Sequence, residues 1–365
     1  MRRGRSVVLV AAFCGVLAGC GQGVATPVAA GEPGWSAAAA SPLSPRTAAL
    51  GLWTGREVLL IGGSDTPPCP PNADCARDET PLPDGAAFDP ATNRWRGIAA
   101  PPEPLLDGQG VVVGETAYVL QDELFAYRVD RDEWTRAPVP FGEGYRLVAA
   151  GDRLVAFLGS EENNHGPDYV YDAAAAKWDR LPADPLSPAF DRTMAWSGSE
   201  LVLFDQELVP NPGAEKPSIT RAAALDLATG KWRRLPDSEI LATGPWLAAG
   251  DELINPTLGG GDGGQVGNWG RVYPYGGSVS PATGVWSPLP DPPPGPAAGA
   301  RTGTTALYFG DSGVVLDTTT GTWQKIPAIP GDEVTGRTIV AAGALMVVFG
   351  GASSDLVADA WIWRP

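Results

Sequence analysis

The most constraining feature of the sequence is a twelve-residue motif that recurs along the chain. The segment LDLATGKWRRLP, residues 225–236, returns as YDAAAAKWDRLP, VSPATGVWSPLP and LDTTTGTWQKIP. Similarity at fixed internal offsets predicts a repeat architecture. Each copy has an apolar residue seven positions before a tryptophan and another apolar residue three positions after it. The tryptophans in this setting are Trp95, Trp134, Trp178, Trp232, Trp286 and Trp323.

Each motif predicts two β-strands joined by a tight turn. In FDPATNRW and LDLATGKW the aspartate can accept hydrogen bonds from the turn backbone. The Asn or Gly two residues before the tryptophan tolerates a left-handed backbone conformation. Proline follows the motif in five of the six copies, which suits an edge strand because no ladder donor is lost there. We therefore expect the tryptophan to begin the outermost strand of each repeat.

A second pattern lies upstream of each motif. Segments such as LWTGREVLLIGG and IVAAGALMVVFGG are typical of β-hairpins with a glycine in the turn. Seven glycines occupy this position: Gly55, Gly114, Gly151, Gly198, Gly250, Gly303 and Gly343. Each repeat is therefore predicted to contain four strands.

The last hairpin runs into ADAWIWRP and stops at Pro365 without an outer strand. Trp35 supplies the missing strand, since the Pro-Leu-Ser-Pro at 42–45 follows Trp35 at the same offset as the one at 185–188 follows Trp178. We predict that the N-terminal strand completes the last blade, which closes the ring and leaves no open sheet edge.

This pattern resembles kelch repeats of the galactose oxidase type. The resemblance lies in the apolar hairpins, the Gly-Gly pairs at 62–63 and 350–351, and aromatics such as Tyr127 seven residues before a tryptophan. It covers residues 35–365 and implies an all-β, seven-bladed kelch-like β-propeller. Quinoprotein-type propeller repeats, in which the tryptophan usually comes later after the glycine, are the second interpretation. The seven outer tryptophans are assigned to packing between blades, as core residues.

The N-terminus has the layout of an export signal: three arginines, a short apolar run and then small residues. The run is too short to span a bilayer. Leu17-Ala18-Gly19-Cys20 resembles a bacterial lipobox, which implies cleavage before Cys20 and lipidation of its sulfur. An ordinary secretory signal is the alternative. The expected organisation is a signal peptide over 1–19, a lipid-anchored tether over 20–34 and the propeller over 35–365, on the extracytoplasmic face of the bacterial cell membrane.

Two cysteines remain in the mature chain. Cys14 leaves with the signal and Cys20 carries the lipid, so Cys69 and Cys75 are the only pair left. An exported protein meets oxidising conditions, and a disulfide between these two residues is predicted.

The net charge is strongly negative. The chain has 26 Lys and Arg against 42 Asp and Glu, a formal charge of −16; loss of the three signal arginines leaves 23 against 42, or −19. Such a surface repels nucleic acid and anionic lipid headgroups. We expect a monomer with no nucleic-acid partner.

Long insertions between the second and third strands of several repeats indicate a binding surface, because they gather on one face of a repeat array. Tolerated loop growth is the alternative. In one insertion Trp269, Tyr273 and Tyr275 suit stacking on a sugar or anchoring a protein partner, or else they pack as lids on the blade.

A second candidate binding loop contains Glu161, Glu162 and His165. With Asn163, Asn164 and Asp168 its oxygens are a possible Ca²⁺ ligand set, but the ordered spacing of a calcium loop is missing and a solvated polar loop is favoured. His165 is the only histidine, so neither a multi-histidine metal site nor galactose oxidase activity is expected. We expect no metal and no cofactor.

The function expected from the sequence is a non-catalytic lipoprotein that binds an envelope protein or glycan through its long-loop face. A propeller glycoside hydrolase or lyase with paired carboxylates is the alternative, because that chemistry needs only two positioned acids. A purely structural envelope protein is a third, weaker hypothesis. An enzyme should bring at least two acids together with arginine or aromatic side chains at the mouth of the ring, whereas a binder should show a broad face.

Overall fold

The computed structural model describes residues 32–365 apart from 70–74, 76–78, 174, 209–216, 257–272, 292–297, 303–304, 310–312 and 332. The predicted signal peptide, the predicted lipidation residue Cys20 and the candidate binding residue Trp269 lie outside the described residues. Within those residues, no helix is long and apolar enough to cross a membrane.

The fold is an all-β β-propeller. Its described strands form seven antiparallel sheets of four strands, which we number by the chain order of their innermost strand. Sheets 1 to 4 consist of β2 Leu50–Trp53, β3 Val58–Ile61, β4 Gly85–Asp89 and β5 Arg94–Gly97; β6 Gln109–Val113, β7 Thr116–Leu120, β8 Leu124–Arg128 and β9 Glu133–Ala137; β10 Tyr145–Ala150, β11 Arg153–Leu158, β12 Tyr169–Asp172 and β13 Lys177–Arg180; and β14 Ala189–Trp196, β15 Leu201–Glu207, β16 Thr220–Asp226 and β17 Lys231–Arg234.

The remaining sheets follow the same plan, except that the outer strand of sheet 7 comes from the start of the chain. Sheets 5 to 7 consist of β18 Leu247–Ala249, β19 Glu252–Asn255, β20 Gly276–Val279 and β21 Trp286–Leu289; β22 Ala298–Thr302, β23 Thr305–Phe309, β24 Val314–Asp317 and β25 Thr322–Lys325; and β26 Thr338–Ala342, β27 Leu345–Phe349, β28 Ala360–Arg364 and β1 Gly34–Ala37. The prediction of four strands per repeat is confirmed.

The seven-residue spacing of the sequence motif is a cross-strand pair. Tyr127 lies opposite Trp134 and Leu225 lies opposite Trp232, each pair flanking the turn between the third and fourth strands. In sheet 7 the partner of Trp35 is Trp363, and the two indole rings are 5.0 Å apart. The spacing therefore reflects hairpin register, since directly opposed side chains share one face of the sheet.

The turns adopt the predicted chemistry. The Asp226 carboxylate accepts hydrogen bonds from the backbone N–H groups of Ala228 and Thr229, and Asp317 does the same in sheet 6. Two residues before each motif tryptophan the backbone is left-handed, with φ between 49° and 71°; the residues are Asn93, Asp132, Ala176, Gly230, Gly284 and Gly321. Of these six residues, Ala176 is the one that neither lacks a Cβ, as glycine does, nor has a polar side chain that can hydrogen-bond locally, as Asn and Asp do.

The outer tryptophans join neighbouring sheets through their indole nitrogens. Each Nε1–H donates to the carbonyl oxygen four residues after the equivalent tryptophan of the preceding sheet, at 2.8–2.9 Å. The pairs are Trp95 with Ala39, Trp134 with Ala99, Trp178 with Pro138, Trp232 with Pro182, Trp286 with Pro236, Trp323 with Pro290 and Trp35 with Pro327. All seven side chains are half-buried. The predicted packing between sheets is confirmed, since these half-buried indoles pack against the buried core clusters and bond across to the preceding sheet.

The core lies between successive sheets, because side chains along each strand alternate between the two neighbours. Phe204 and Ala222 of sheet 4 pack with Leu253 of sheet 5. Leu203 of the same sheet packs with Phe157 of sheet 3. This alternation assigns the odd-numbered residues of β15 and β16 to the sheet 3 side and the even-numbered ones to the sheet 5 side.

The loops between second and third strands pack closely against the connections between sheets. Gly62 and Gly63 have φ of 64° and 95°, and a Cβ at either residue would lie 2.2–2.4 Å from a carbonyl oxygen of Leu105 or Thr47. Only glycine permits this approach. In the same loop Cys69 and Cys75 form a disulfide with Cα atoms 5.9 Å apart, which confirms that prediction.

Candidate functional site

Insertions and inter-sheet connections share one face, which we call the connection face. Because strands alternate in direction, the loop after the second strand and the connection after the fourth emerge at the same end of each sheet. Glu161, in the loop between β11 and β12, accepts hydrogen bonds from the Ser187 hydroxyl of the next connection and from the N–H of Ala189, the first residue of β14. The four long insertions predicted from the sequence all begin and end at this face.

A small pocket opens on the connection face at sheet 4. It measures about 140 Å³, and we call it the sheet 4 pocket. Its lining residues come from three strands, two loops and one connection: Glu207, Pro217, Ser218, Ile219, Arg221, Arg234, Asp237 and Tyr273. It therefore combines one aromatic ring, two guanidinium groups and two carboxylates.

Tyr273 reaches this pocket from the insertion of sheet 5. The Leu241 N–H donates to the Pro274 carbonyl at 2.9 Å, which ties the end of that insertion to the connection between sheets 4 and 5. Tyr273 is half-buried, as is Tyr275, which does not line the pocket. The structure thus separates two tyrosines that the sequence grouped together.

Arg221 is the most constrained side chain of the pocket. Its Nε–H donates to Asp205 Oδ1 at 2.8 Å, and its Nη2 donates to the Leu186 carbonyl at 2.7 Å. Nη1 lies 3.9 Å from the carboxylate of Glu207. Two edges of the guanidinium are therefore fixed by the protein before any ligand binds.

Asp205 lies beneath Arg221 with a fully buried side chain. Burial raises the pKa of its carboxyl to about 7; the hydrogen bond and charge of Arg221 oppose the rise, Asp184 adds to it and Arg192 opposes it. Among the described residues, Asp205 Oδ2 has no hydrogen-bond partner. This carboxyl consequently changes charge near neutral pH.

Arg234 and Asp237 form the outer wall of the pocket. Arg234 Nη2 donates to Asp237 Oδ1 at 2.9 Å, and both side chains are about half exposed or more, at 49% and 62%. Exposed pairs of this kind contribute roughly 0–1 kcal/mol. Both groups are therefore available to a ligand at little cost in stability.

A buried cluster of charges joins sheets 3 and 4 beside this pocket. Arg192 donates to Asp168 Oδ2 at 2.8 Å and to Asp184 Oδ2 at 3.0 Å, and the three side chains are at most 7% exposed. Burial raises the pKa of Asp168, while the hydrogen bonds and charge of Arg192 oppose that rise. These acids converge on an arginine, but they are closed off from solvent and serve to join the sheets.

The second candidate binding loop is divided by the structure. Glu161 and Asp168 are buried in internal hydrogen bonds, so the expectation of a solvated loop is wrong for these two residues. Glu162, Asn163, Asn164 and His165 are exposed. Within the described ranges, no group of three or more His, Cys, Asp or Glu side chains is arranged to hold a metal ion.

The opposite face, which carries the hairpin turns, has two larger clefts. One, of about 410 Å³, lies between sheets 3 and 4 and includes Trp196, Arg153 and Arg180. The other, of about 650 Å³, lies between sheets 1 and 2 beside the Arg96–Glu57 ion pair. Neither contains a residue that the sequence singled out for binding.

Sequence reasoning missed Asp205, Arg221 and Arg192. Their pairing depends on strand register and on contact between sheets, neither of which follows from spacing along the chain. A signal was nevertheless present, because the apolar strand LVLFDQE ends in three polar residues and the following strand TRAAALD places an arginine among alanines. Polar residues at strand ends that are otherwise buried require partners.

In comparisons with known proteins, no family model matches the chain and no curated protein sequence matches it.

Proposed function

We propose that the chain is a non-catalytic binding protein whose connection face takes a glycan, with the sheet 4 pocket holding one sugar residue. The observation that carries this proposal is the lining of the pocket by Tyr273, Arg221, Arg234, Glu207 and Asp237. Guanidinium groups donate to sugar hydroxyls, carboxylates accept from them, and an aromatic ring packs on the apolar face of the sugar. A volume of about 140 Å³ is below that of drug-sized sites, which favours a single ring over a larger ligand. A protein partner presenting one polar side chain is the other occupant to test.

The test is binding of the purified full chain to a glycan array. Tyr273→Ala should weaken binding by about tenfold or more, corresponding to roughly 1.4 kcal/mol. Tyr275→Ala is the matched control, since it removes a half-buried tyrosine of the same loop that does not line the pocket. Equal losses in the two variants, or binding unchanged in both, would contradict the assignment of the pocket.

A propeller glycoside hydrolase or lyase is the second candidate. It is favoured by one observation, the presence of the carboxylates of Glu207 and Asp237 in the same pocket. Paired carboxylates suffice for glycoside cleavage. Release of reducing ends from a glycan that binds, abolished by Glu207→Gln and by Asp237→Asn, would establish catalysis. Binding without turnover would support the non-catalytic assignment.

For the architecture, we propose a seven-bladed kelch-like ring closed by the N-terminal strand. The pairing of β1 with β28 supports it, as do the seven indole-to-carbonyl hydrogen bonds, which link every sheet to its predecessor and return to the first. A closed ring protects all sheet edges from pairing with other molecules.

For the location, we propose lipidation at Cys20 and anchoring to the extracytoplasmic face of the membrane. The support is the N-terminal sequence together with the Cys69–Cys75 disulfide, since disulfides persist in oxidising compartments. Cys20→Ser should abolish incorporation of labelled fatty acid and shift the protein from the membrane fraction. Unchanged labelling in this variant would refute lipidation at Cys20.

A further inference from the structure

In the sheet 4 pocket, Arg221 is bonded to a buried carboxylate, Asp205, which does not itself line the pocket. Arg221 uses Nε for Asp205 and Nη2 for the Leu186 carbonyl, so neither bond occupies Nη1. Leu186 belongs to the connection between sheets 3 and 4, and its backbone carbonyl does not titrate. Asp205 is therefore the partner whose charge can change.

Several charged groups surround Asp205. Arg221 from β16 is bonded to it, and the charges of Arg192 from β14 and of Asp184 from the connection between sheets 3 and 4 act on it. Glu207 of its own strand lies 3.9 Å from Arg221. Glu161, from the loop of sheet 3, is hydrogen-bonded to the same connection. Of these, Glu207 is the only carboxylate within 4 Å of Arg221 other than Asp205 in the described part of the chain.

We propose that Asp205 is a positioning residue whose ionised form holds Arg221 for the ligand, so that the pocket binds sugar at pH 8 and loses affinity toward pH 6. This inference rests on the proposed function of the pocket. When Asp205 is protonated, its bond to Arg221 is no longer charge-assisted and weakens. Glu207 then attracts the guanidinium, which removes one donor and one acceptor from the ligand.

The expected size of the effect follows from the titration. With a pKa of about 7, Asp205 is about 91% ionised at pH 8 and about 9% ionised at pH 6, roughly a tenfold change in the competent form. Affinity for a bound sugar should therefore fall by up to about tenfold over this interval, because only the ionised form holds Arg221 in place.

The first experiment needs no ligand. The full chain is treated with phenylglyoxal, which reacts with guanidinium groups, and modification of Arg221 and Arg234 is quantified by mass spectrometry. Both arginines line the same pocket, so their ratio cancels the intrinsic pH dependence of the reagent. The Arg221 to Arg234 ratio should rise severalfold from pH 8 to pH 6 in the wild-type chain. In Asp205→Asn it should stay high and independent of pH.

Two control variants isolate the effect. Glu200→Gln removes an acid from an arginine pair at the opposite end of the same sheet, where Glu200 meets Arg233 at 2.8 Å. His165→Gln removes the only histidine, the residue type that ordinarily changes charge between about pH 5 and 8. Both variants should keep the wild-type profile.

A flat wild-type ratio would overturn the proposal even if Asp205→Asn failed to fold, as would a profile that disappears in His165→Gln. The second experiment repeats the array binding at pH 6 and pH 8. Sugar binding that is equal at both pH values, with a flat labelling ratio, would sink the inference and leave the proposed function intact. A sloping ratio with no sugar bound would establish the positioning role and refute the glycan assignment.

Discussion

The proposed closure of the ring predicts that Trp35 stabilises the whole propeller, although it lies near the chain terminus. Replacing Trp35 with alanine removes three contributions: half-burial of the indole, the 5.0 Å contact with Trp363, and the 2.8 Å hydrogen bond to the Pro327 carbonyl. A fully buried Trp→Ala change costs about 3–5 kcal/mol, so half-burial accounts for about 2 kcal/mol. The hydrogen bond adds about 1 kcal/mol.

The expected loss for Trp35→Ala is therefore about 3 kcal/mol. At roughly 2–3 °C per kcal/mol for a domain of this size, Tm should fall by about 6–9 °C. Trp35→Phe keeps an aromatic ring but lacks the N–H donor, and should lose only about 1 kcal/mol. Thermal unfolding followed by circular dichroism measures both changes.

Trp178→Ala is the matched control. Trp178 is half-buried, donates to the Pro138 carbonyl at 2.9 Å, and belongs to sheet 3, whose four strands are consecutive in the chain. Its contacts with Tyr171 and Phe141 make its loss at least as large as that of Trp35. If Trp178→Ala lowered Tm by several degrees while Trp35→Ala changed it by less than about 1 °C, the N-terminal strand would not be part of a closed ring.

Three further predictions follow from buried charge and backbone strain. The pKa of Asp205, raised to about 7, lies above that of an unfolded aspartate, so the folded chain retains a proton that the unfolded chain releases. The free energy of unfolding should therefore fall as pH rises from about 4 to 7, by up to about 4 kcal/mol. Urea titrations should show this decline in the wild type but not in Asp205→Asn, and parallel profiles would refute it. Arg192→Met leaves two buried carboxylates without their cation and should cost about 3–5 kcal/mol in urea unfolding, whereas a loss below about 1 kcal/mol would show that the cluster is dispensable. Ala176→Gly relieves a left-handed φ of 49° and should stabilise the chain by about 0.5–1 kcal/mol, while Gly230→Ala, at φ 67°, should destabilise it; calorimetry giving the same sign for both would contradict the strain argument.

The spacing of Trp95 and its counterparts was sufficient to predict the outer hairpins, because the seven-residue offset is a local property of strand and turn. The pairing of the N-terminal strand with the last repeat could be predicted as well, since a missing strand at one end of the chain matched an extra one at the other. Cys69 and Cys75 were the only cysteines left to pair. In each case the constraint is either a spacing within one repeat or a count of strands or cysteines along the chain.

The candidate site depended on contacts that no local pattern encodes. Asp205 and Arg221 meet because β15 and β16 are in a particular register, and Tyr273 joins them from a different sheet. Glu161 and Asp168 appear in the sequence as members of a polar loop. In the structure both are buried: Glu161 accepts a hydrogen bond from the Ala189 N–H, and Asp168 pairs with Arg192. Three-dimensional proximity between repeats therefore decided which of the predicted polar residues remain available to a ligand.

The pairing of β1 with β28 also affects the order in which the sheets can assemble. Trp35 lies in β1, the first described strand of the chain, and its partner Trp363 lies in β28, the last described strand. The outer edge of β28 does not exist until the strands of sheets 1 to 6 have been synthesised, so sheet 7 is the last sheet that can be completed. Chains that lack β28 consequently keep β1 unpaired, a feature by which quality-control proteases can distinguish them from chains that contain it.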